Sequence, residues 1–315
     1  MQCLYNLYFY SSHKWLEDAS PFNTLLFKIV SLLTKIYLNS IYIYNLKSKK
    51  NKLDDKRNNE IIVSLTTFPA RISTVWITIE TIFQQELLPD RIILWLAKEQ
   101  FPNGEADLPE TLKRQVARGL EIRFCEDIKS HKKYYFAMKE NPESIIITVD
   151  DDVFYHNDMI KNLIKLHKLY PKDIIANSAQ EIPNDFSIVP SKWNTPHFNH
   201  VNEKFAKCRI LGISGILYPP HCLYRDVYND DLRKRLCPWA DDLWLTIMAY
   251  LNGTQIRRYE FRTNPLDVKG TQVYNLSRGG DLGNSVTHGL TNDDQWQNMI
   301  EYYKDKIVSI INSKR

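Results

Sequence analysis

Between Ile61 and Tyr155, short β-branched apolar runs alternate with stretches of helical period. That alternation constrains the fold more than any other feature of the chain. Ile61–Thr66 reads as a strand, Ile72–Gln85 as an amphipathic helix and Arg91–Ala97 as a strand. A loop containing Pro102 and Gly104 follows, then a helix over Leu108–Gly119 and a strand over Leu120–Phe124. Ser130–Glu140 reads as a helix leading into Ser144–Tyr155, where Ser-Ile-Ile-Ile-Thr-Val empties into Asp150-Asp151-Asp152. Repeated β-α units at this spacing predict an α/β domain, Rossmann-like, with a mostly parallel sheet flanked by helices. The second half is less regular. Ile174–Asn177 and Arg209–Leu217 read as strands, and Leu243–Leu251, apolar nearly all round, as a buried helix.

The three consecutive carboxylates are the first chemical signal. In extended backbone Asp150 and Asp152 point to one side and Asp151 to the other. Adjacent like charges repel, so the arrangement is costly unless water or a cation screens it. Two carboxylates on one face at the carboxyl end of a buried strand suit a hard divalent cation such as Mg²⁺ or Mn²⁺. Open α/β sheets also place their ligands at that end of the strands. A solvated acidic turn is the plain alternative.

A second signal is Pro238-Trp239-Ala240-Asp241-Asp242-Leu243-Trp244. Two carboxylates start a buried helix, where the helix dipole favours their ionised form. One would suffice as a cap; the other is available as a general base or to orient an acceptor hydroxyl. The flanking tryptophans offer an apolar wall for a sugar ring. Weaker signals surround these two. Thr66, Thr67 and Arg71, in Thr-Thr-Phe-Pro-Ala-Arg after the first strand, could hold a nucleotide, although such residues also make ordinary loops. Lys132 or Lys133 could reach a diphosphate, with a solvated helix end as the alternative. Gly215, in Gly212-Ile213-Ser214-Gly215, marks a bulge or a close approach by ligand or by a neighbouring element. His288 could complete a metal shell, though a lone histidine is more often structural.

Composition sets the outer bounds. The 315 residues suffice for one large domain or two small ones, and a net charge of +4 does not imply nucleic-acid binding. Five cysteines without close pairing fit a reduced, cytosolic setting. Residues 1–59 are set apart as an amino-terminal helical segment and charged linker, with the α/β domain over 60–315. Phe22–Leu46 reads as helix, with Leu25, Leu26, Ile29, Leu32, Leu33 and Ile36 on a wide apolar face and Lys28, Ser31, Lys35 and Asn39 on a narrow polar stripe. The lysines interrupt any uncharged span of about 18 residues, which argues against a standard transmembrane helix. A cationic amphipathic helix followed by Lys47, Lys49, Lys50 and Lys52 suits a membrane surface; packing on the domain or on a partner protein is the alternative.

Four stretches together resemble bacterial glycosyltransferases of the GT-A fold found in capsule and surface-polysaccharide clusters. They are Val63-Ser64-Leu65-Thr66-Thr67-Phe68-Pro69-Ala70-Arg71, Asp150-Asp151-Asp152, Leu217-Tyr218-Pro219-Pro220 and Trp239-Ala240-Asp241-Asp242. Their order is also similar to that of exostosin-type catalytic domains. The resemblance covers about residues 60–290 and leaves out the amino-terminal segment. It implies that Asp152 contacts a divalent metal bound to a nucleotide-sugar diphosphate, that Asp150 sits near the ribose and that Asp242 faces the acceptor. The implied cofactor is Mn²⁺ or Mg²⁺ and the implied donor a UDP-linked sugar. The acceptor would be a saccharide or a lipid-linked glycan, and the amino-terminal helix would hold the chain where such acceptors are found, at the cytoplasmic face of the inner membrane.

Two other chemistries compete. Strand then Asp-Asp-Asp-Val resembles the haloacid-dehalogenase pattern of phosphohydrolases, but that motif normally opens its domain, and here three β-α units precede it. A nucleotidyltransferase would share metal carboxylates, yet no Gly-rich basic phosphate loop lies near Ile61.

Overall fold

A computed structural model describes residues 2–46, 53, 60–193, 207–258, 266–271 and 290–307. Strands β1 (Ile61–Thr66), β2 (Arg91–Ala97), β3 (Leu120–Cys125) and β4 (Ile145–Thr148) alternate with helices α4 (Val75–Phe83), α5 (Glu110–Val116) and α6 (Lys132–Glu140). Further along run β5 (Val153–Phe154), α7 (Met159–Leu169), β6 (Ile174–Ala176), β7 (Ala179–Glu181), β8 (Cys208–Ile210) and β9 (Ile216–Tyr218). The chain continues through α8 (Asp230–Leu236), α9 (Asp241–Leu251), β10 (Ile256–Arg258), β11 (Leu266–Asp267) and α10 (Asn292–Tyr302). Before all of these come α1 (Gln2–Glu17), α2 (Pro21–Tyr37) and, past a π-helical turn at Leu38–Tyr42, α3 (Ile43–Leu46).

The seven-stranded sheet has the order β10-β6-β9-β4-β1-β2-β3. Its pairs are parallel except where β9 lies antiparallel between β4 and β6. Thus the fold class expected from the sequence is the one observed. Successive side chains leave a strand on opposite faces, and the core divides accordingly. Ile62, Ile93 and Ile146 face α6 and α9, meeting Tyr134, Leu243 and Ile247. Val63, Leu65, Ile92 and Leu94 face α4, α5 and α7, meeting Val75, Ile79, Leu112 and Ile160. With both faces covered, β1 and β2 read as continuous apolar runs rather than alternating ones.

The structure departs from the sequence reading in places that have local causes. Arg209–Leu217 is two strands, β8 and β9, divided by a 3₁₀ turn at Gly212–Ser214 and by Gly215 at φ +91°. A residue in that left-handed region cannot continue a strand, and glycine adopts it without steric cost. Helix α4 begins at Val75, later than Ile72, because Pro69–Arg71 forms a 3₁₀ turn of its own. Helix α1 lies within the amino-terminal helical segment but before Phe22, where the sequence assigned no separate helix; its Tyr8 and Trp15 rings pack on Phe27 of α2.

Helix α2 starts at an Ser20 cap, whose hydroxyl accepts from the Asn23 N–H, with Pro21 in the first turn. It docks on the α/β domain by a face other than the wide apolar one. Val30, Leu38 and Tyr42 are buried against Ile77, Phe154, Leu266 and Val268. Thr34, on the same row, is buried too and donates its hydroxyl to the Val30 carbonyl at 2.7 Å. Leu25, Ile29, Leu32, Leu33 and Ile36 stay exposed. By length and composition Pro21–Tyr42 is long and apolar enough to cross a membrane, its two lysines notwithstanding.

Candidate active site

Parallel pairing of β1 with β4 sets Ser64 beside Thr148, so the loops after both strands open at one edge of the sheet. There Asp151 and Asp152 share Arg71, and Asp150 pairs with Lys133. Asp151 turns back toward the first loop: Thr67 Oγ1 donates to its Oδ2 at 2.5 Å, and Arg71 Nη1 lies 2.6 Å from its Oδ1. The same guanidinium nitrogen is 3.0 Å from Asp152 Oδ2, while Nη2 donates to the Thr271 carbonyl at 3.3 Å. Arg71 therefore fastens the loop after β1 to the end of β4. Burial first, and then the adjacent Asp151 charge, pushes the Asp152 carboxyl up to about 7. Asp152 also anchors β11, because its carbonyl accepts from Val268 N–H at 2.8 Å.

Asp150 has a different partner. Its Oδ1 receives Lys133 Nζ at 2.7 Å, and its backbone N–H donates to the Tyr155 hydroxyl at 2.8 Å. Lys133 Nζ is also 3.0 Å from Asp241 Oδ2. One buried ammonium thus joins the strand-end cluster to the helix-start cluster, Asp150 to Asp241, 91 positions apart in the chain. Burial alone would depress the lysine's pKa, but Asp150, Asp241 and Asp242 together outweigh it and hold Lys133 well above the ordinary value. Its backbone is fixed as well, since the Lys133 carbonyl accepts from Ser64 Oγ, which in turn accepts from Trp95 Nε1.

Asp241 and Asp242 differ despite adjacency. Asp241 is buried; burial raises its pKa, but Lys133 foremost and then His131 more than offset that and leave it below the usual value. Asp242 is partly exposed and accepts the Gly212 N–H at 3.0 Å through Oδ2. Burial and the neighbouring Asp241 charge push it up to about 7. An acid and a base with separated pKa values side by side are the usual equipment of proton-transfer chemistry. Gly212 closes the space between the clusters: a Cβ there would lie 3.0 Å from Asp242 Oδ1 and from Lys133 Nζ.

The remaining residues singled out in the sequence fall in varied places. Thr66 Oγ1 donates to the Trp95 carbonyl at 2.8 Å. Lys132, buried, pairs with Asp127 Oδ1 at 2.9 Å. Gly215 has its open side against Met159, where a Cβ would meet the sulfur at 3.0 Å. His288 lies outside the described residues. Trp244 is fully buried and donates to the Val227 carbonyl, so it cannot form a wall for a sugar; Trp239 is only partly buried.

Three contributors were not visible in the sequence. Gln295 of α10 accepts the N–H groups of Trp239 and Ala240 at 2.9 and 3.1 Å, fixing the approach to α9. Arg209, on β8, lies close enough for the Asp242 and Asp241 charges to act on it, and burial lowers its pKa. The Tyr155 hydroxyl accepts the Asp150 backbone N–H. Only the Gly212-x-x-Gly215 spacing carried any signal, and it marked the segment rather than the glycine at the charged junction.

Among the described residues no group of three or more His, Cys, Asp and Glu side chains is arranged to hold a metal ion. The donor set is nonetheless of the hard-oxygen kind that Mg²⁺ and Mn²⁺ prefer. Five carboxylates, at positions 150, 151, 152, 241 and 242, face Arg71, Lys133 and Arg209. Carboxylates outnumber cations, which suits an added cation.

No family model and no curated protein matches this chain. Among solved structures it is similar to the mannosyltransferase PcManGT of Pyrobaculum calidifontis in complex with GDP-mannose and Mn²⁺, at 10% identity and a TM-score of 0.40, covering 90% of this chain and 85% of that one. It is similar to CMP:2-keto-3-deoxy-manno-octonic acid synthetase complexed with CTP at 12% identity and a TM-score of 0.37, over 69% of this chain and 96% of that one. The inositol-1-phosphate CTP transferase of T. maritima matches at 9% identity and a TM-score of 0.37, over 72% and 100%. Likenesses this remote assign neither a family nor an activity.

Proposed function

We propose that the chain is a metal-dependent glycosyltransferase that moves a sugar from a nucleotide-sugar donor to a saccharide or lipid-linked acceptor. The observation that carries this reading is the Lys133 bridge, 2.7 Å from Asp150 and 3.0 Å from Asp241. It yokes an acidic strand end, suited to a donor diphosphate and its cation, to an acidic helix start suited to an acceptor. Asp150 and Asp152 would hold Mn²⁺ or Mg²⁺, which when bound supplies positive charge to a leaving diphosphate. In the transfer itself the acceptor oxygen bonds to the anomeric carbon as the bond from that carbon to the diphosphate oxygen breaks. Asp242, with a carboxyl near 7, takes the hydroxyl proton in an inverting reaction. Asp241, kept ionised by Lys133, keeps the proton on its neighbour. Thr67 and Arg71 brace Asp151 and Asp152 and border the donor side. The surface-polysaccharide setting and a UDP-linked donor rest on the sequence resemblance alone, and a place at the inner membrane's cytoplasmic face rests on the amphipathic amino-terminal helix.

A phosphohydrolase reading is less well supported. Its nucleophile would be Asp150, whose Oδ1 is ion-paired with Lys133 and which follows the fourth strand rather than the first. Incubating purified protein and Mn²⁺ with a panel of nucleotide sugars, and measuring nucleoside diphosphate release, tests the proposal. Release from one or a few donors is expected. Release from none, together with orthophosphate release from phosphomonoesters, would overturn it.

A further inference from the structure

Helix α2 presents two apolar faces, and among the described residues only one is used. Val30, Leu38 and Tyr42 are buried on the domain. Phe22, Leu25, Ile29, Leu32, Leu33 and Ile36 are between 48% and 74% exposed. At 3.6 residues per turn these six fall within an arc of roughly 100°, turned away from the docked row. Lys28 and Lys35, both exposed, lie together along one margin of that arc. The segment is not confined to one apolar residue type: Tyr10 of α1 and Tyr44 of α3 are also exposed.

We infer that this face seats in the surface of an anionic bilayer, with the helix lying in the plane of the membrane rather than across it. Length and composition would allow Pro21–Tyr42 to cross, but the docked face forbids it. Crossing would carry Ile77, Phe154 and Val268 into the hydrocarbon together with the polar groups beside them. Those include the Lys269 N–H, which donates to Asn39 Oδ1 at 2.7 Å, and Asp267, on whose charge Lys35 acts. An in-plane helix needs an apolar strip along one side and cations beside it to meet lipid phosphates, and α2 has both. Lys47, Lys49, Lys50 and Lys52 follow it in the sequence and add positive charge. A second copy of the chain fits less well, because the lysines at the margin would meet lysines. The Tyr42 ring packs 6.1 Å from Phe154, two residues beyond Asp152. If the glycosyltransferase reading holds, the bilayer therefore lies beside the site and suits a lipid-linked acceptor; membrane seating itself does not depend on that reading.

The test is co-sedimentation of the full chain with vesicles of phosphatidylcholine alone and of phosphatidylcholine mixed with phosphatidylglycerol, at low and high salt. Binding to the mixed vesicles is expected, weakened but not abolished by salt. Leu32→Glu with Ile36→Glu should lower partitioning at least about tenfold. Since both side chains are exposed, the melting temperature should hold. Lys28→Gln with Lys35→Gln provides an independent arm and should weaken binding to the mixed vesicles only. Full-length protein left in the supernatant with both vesicle types would overturn the inference. So would a double glutamate variant that partitions like the parent, or one that turns a dimer into a monomer where the parent binds no vesicles.

Discussion

At the scale of single residues, Lys133 decides how the two acidic clusters behave. Removing it leaves Asp150 and Asp241 without their shared cation. Lys133→Ala should therefore destabilise the fold by about 3–5 kcal/mol, the range for breaking one side of a buried pair, measured by chemical denaturation. An unchanged midpoint would mean that water replaces the ammonium freely. Asp242 gives a pH signature. Its carboxyl is held up to about 7 in the fold against about 3.9 in the unfolded chain. Between those values the folded state binds the extra proton, so this group's contribution to stability falls as pH rises from about 4 to about 7. Asp242→Asn, which cannot ionise, should gain stability over the parent as pH rises toward 8, read from melting curves. In activity the sign is opposite: the base works ionised, so turnover should drop on the acid side with an apparent pKa near 7. The asparagine variant should lose that limb.

At the scale of elements, much of the strand-and-helix pattern was legible because local chemistry agreed with the global fold. Strands β1 and β2 have the limits their apolar runs imply, since both faces are covered and the one interior polar residue, Ser64, is buried and hydrogen-bonded. The break between β8 and β9 was only hinted at by its glycines, because apolar residues flank the turn at Gly212–Ser214 and the Gly215 backbone angle that make it. The acidic pair at the start of α9 was legible, but not the Gln295 that holds the loop before it 55 residues away in the chain. Nor could the sequence reveal that Arg71 reaches Asp151, 80 positions on, or which lysine of the pair at 132 and 133 reaches the two acidic clusters. Such pairings depend on the crossing of elements, and spacing along the chain does not encode them. Gln295→Ala removes the acceptor for two backbone N–H groups, which should cost about 1–3 kcal/mol where they stay unpaired. It should also lower turnover without altering donor affinity, a split that kinetics at saturating donor would reveal.

At the scale of the whole molecule, the amino-terminal helices belong to the fold and are not a detachable arm. Ile77, Phe154, Leu266 and Val268 owe their burial partly to Val30, Leu38 and Tyr42. Deleting residues 1–46 would bare that cluster next to β5 and β11, which adjoin Asp152. A truncated chain should aggregate or melt earlier, as read by light scattering and calorimetry; a soluble fragment with the parent's melting temperature would contradict the docking. The central claim is a division of labour, with the β4 carboxylates serving the donor and the α9 carboxylates serving the acceptor. It is tested most directly by measuring donor binding and turnover together, by titration calorimetry and product release, for the parent, Asp152→Ala and Asp242→Asn in Mn²⁺. The account predicts that Asp242→Asn binds the nucleotide sugar as the parent does yet transfers roughly 10²–10⁴-fold more slowly, and that Asp152→Ala retains its fold but neither binds donor normally nor transfers. Loss of donor binding in Asp242→Asn, or undiminished transfer in Asp152→Ala, would contradict it.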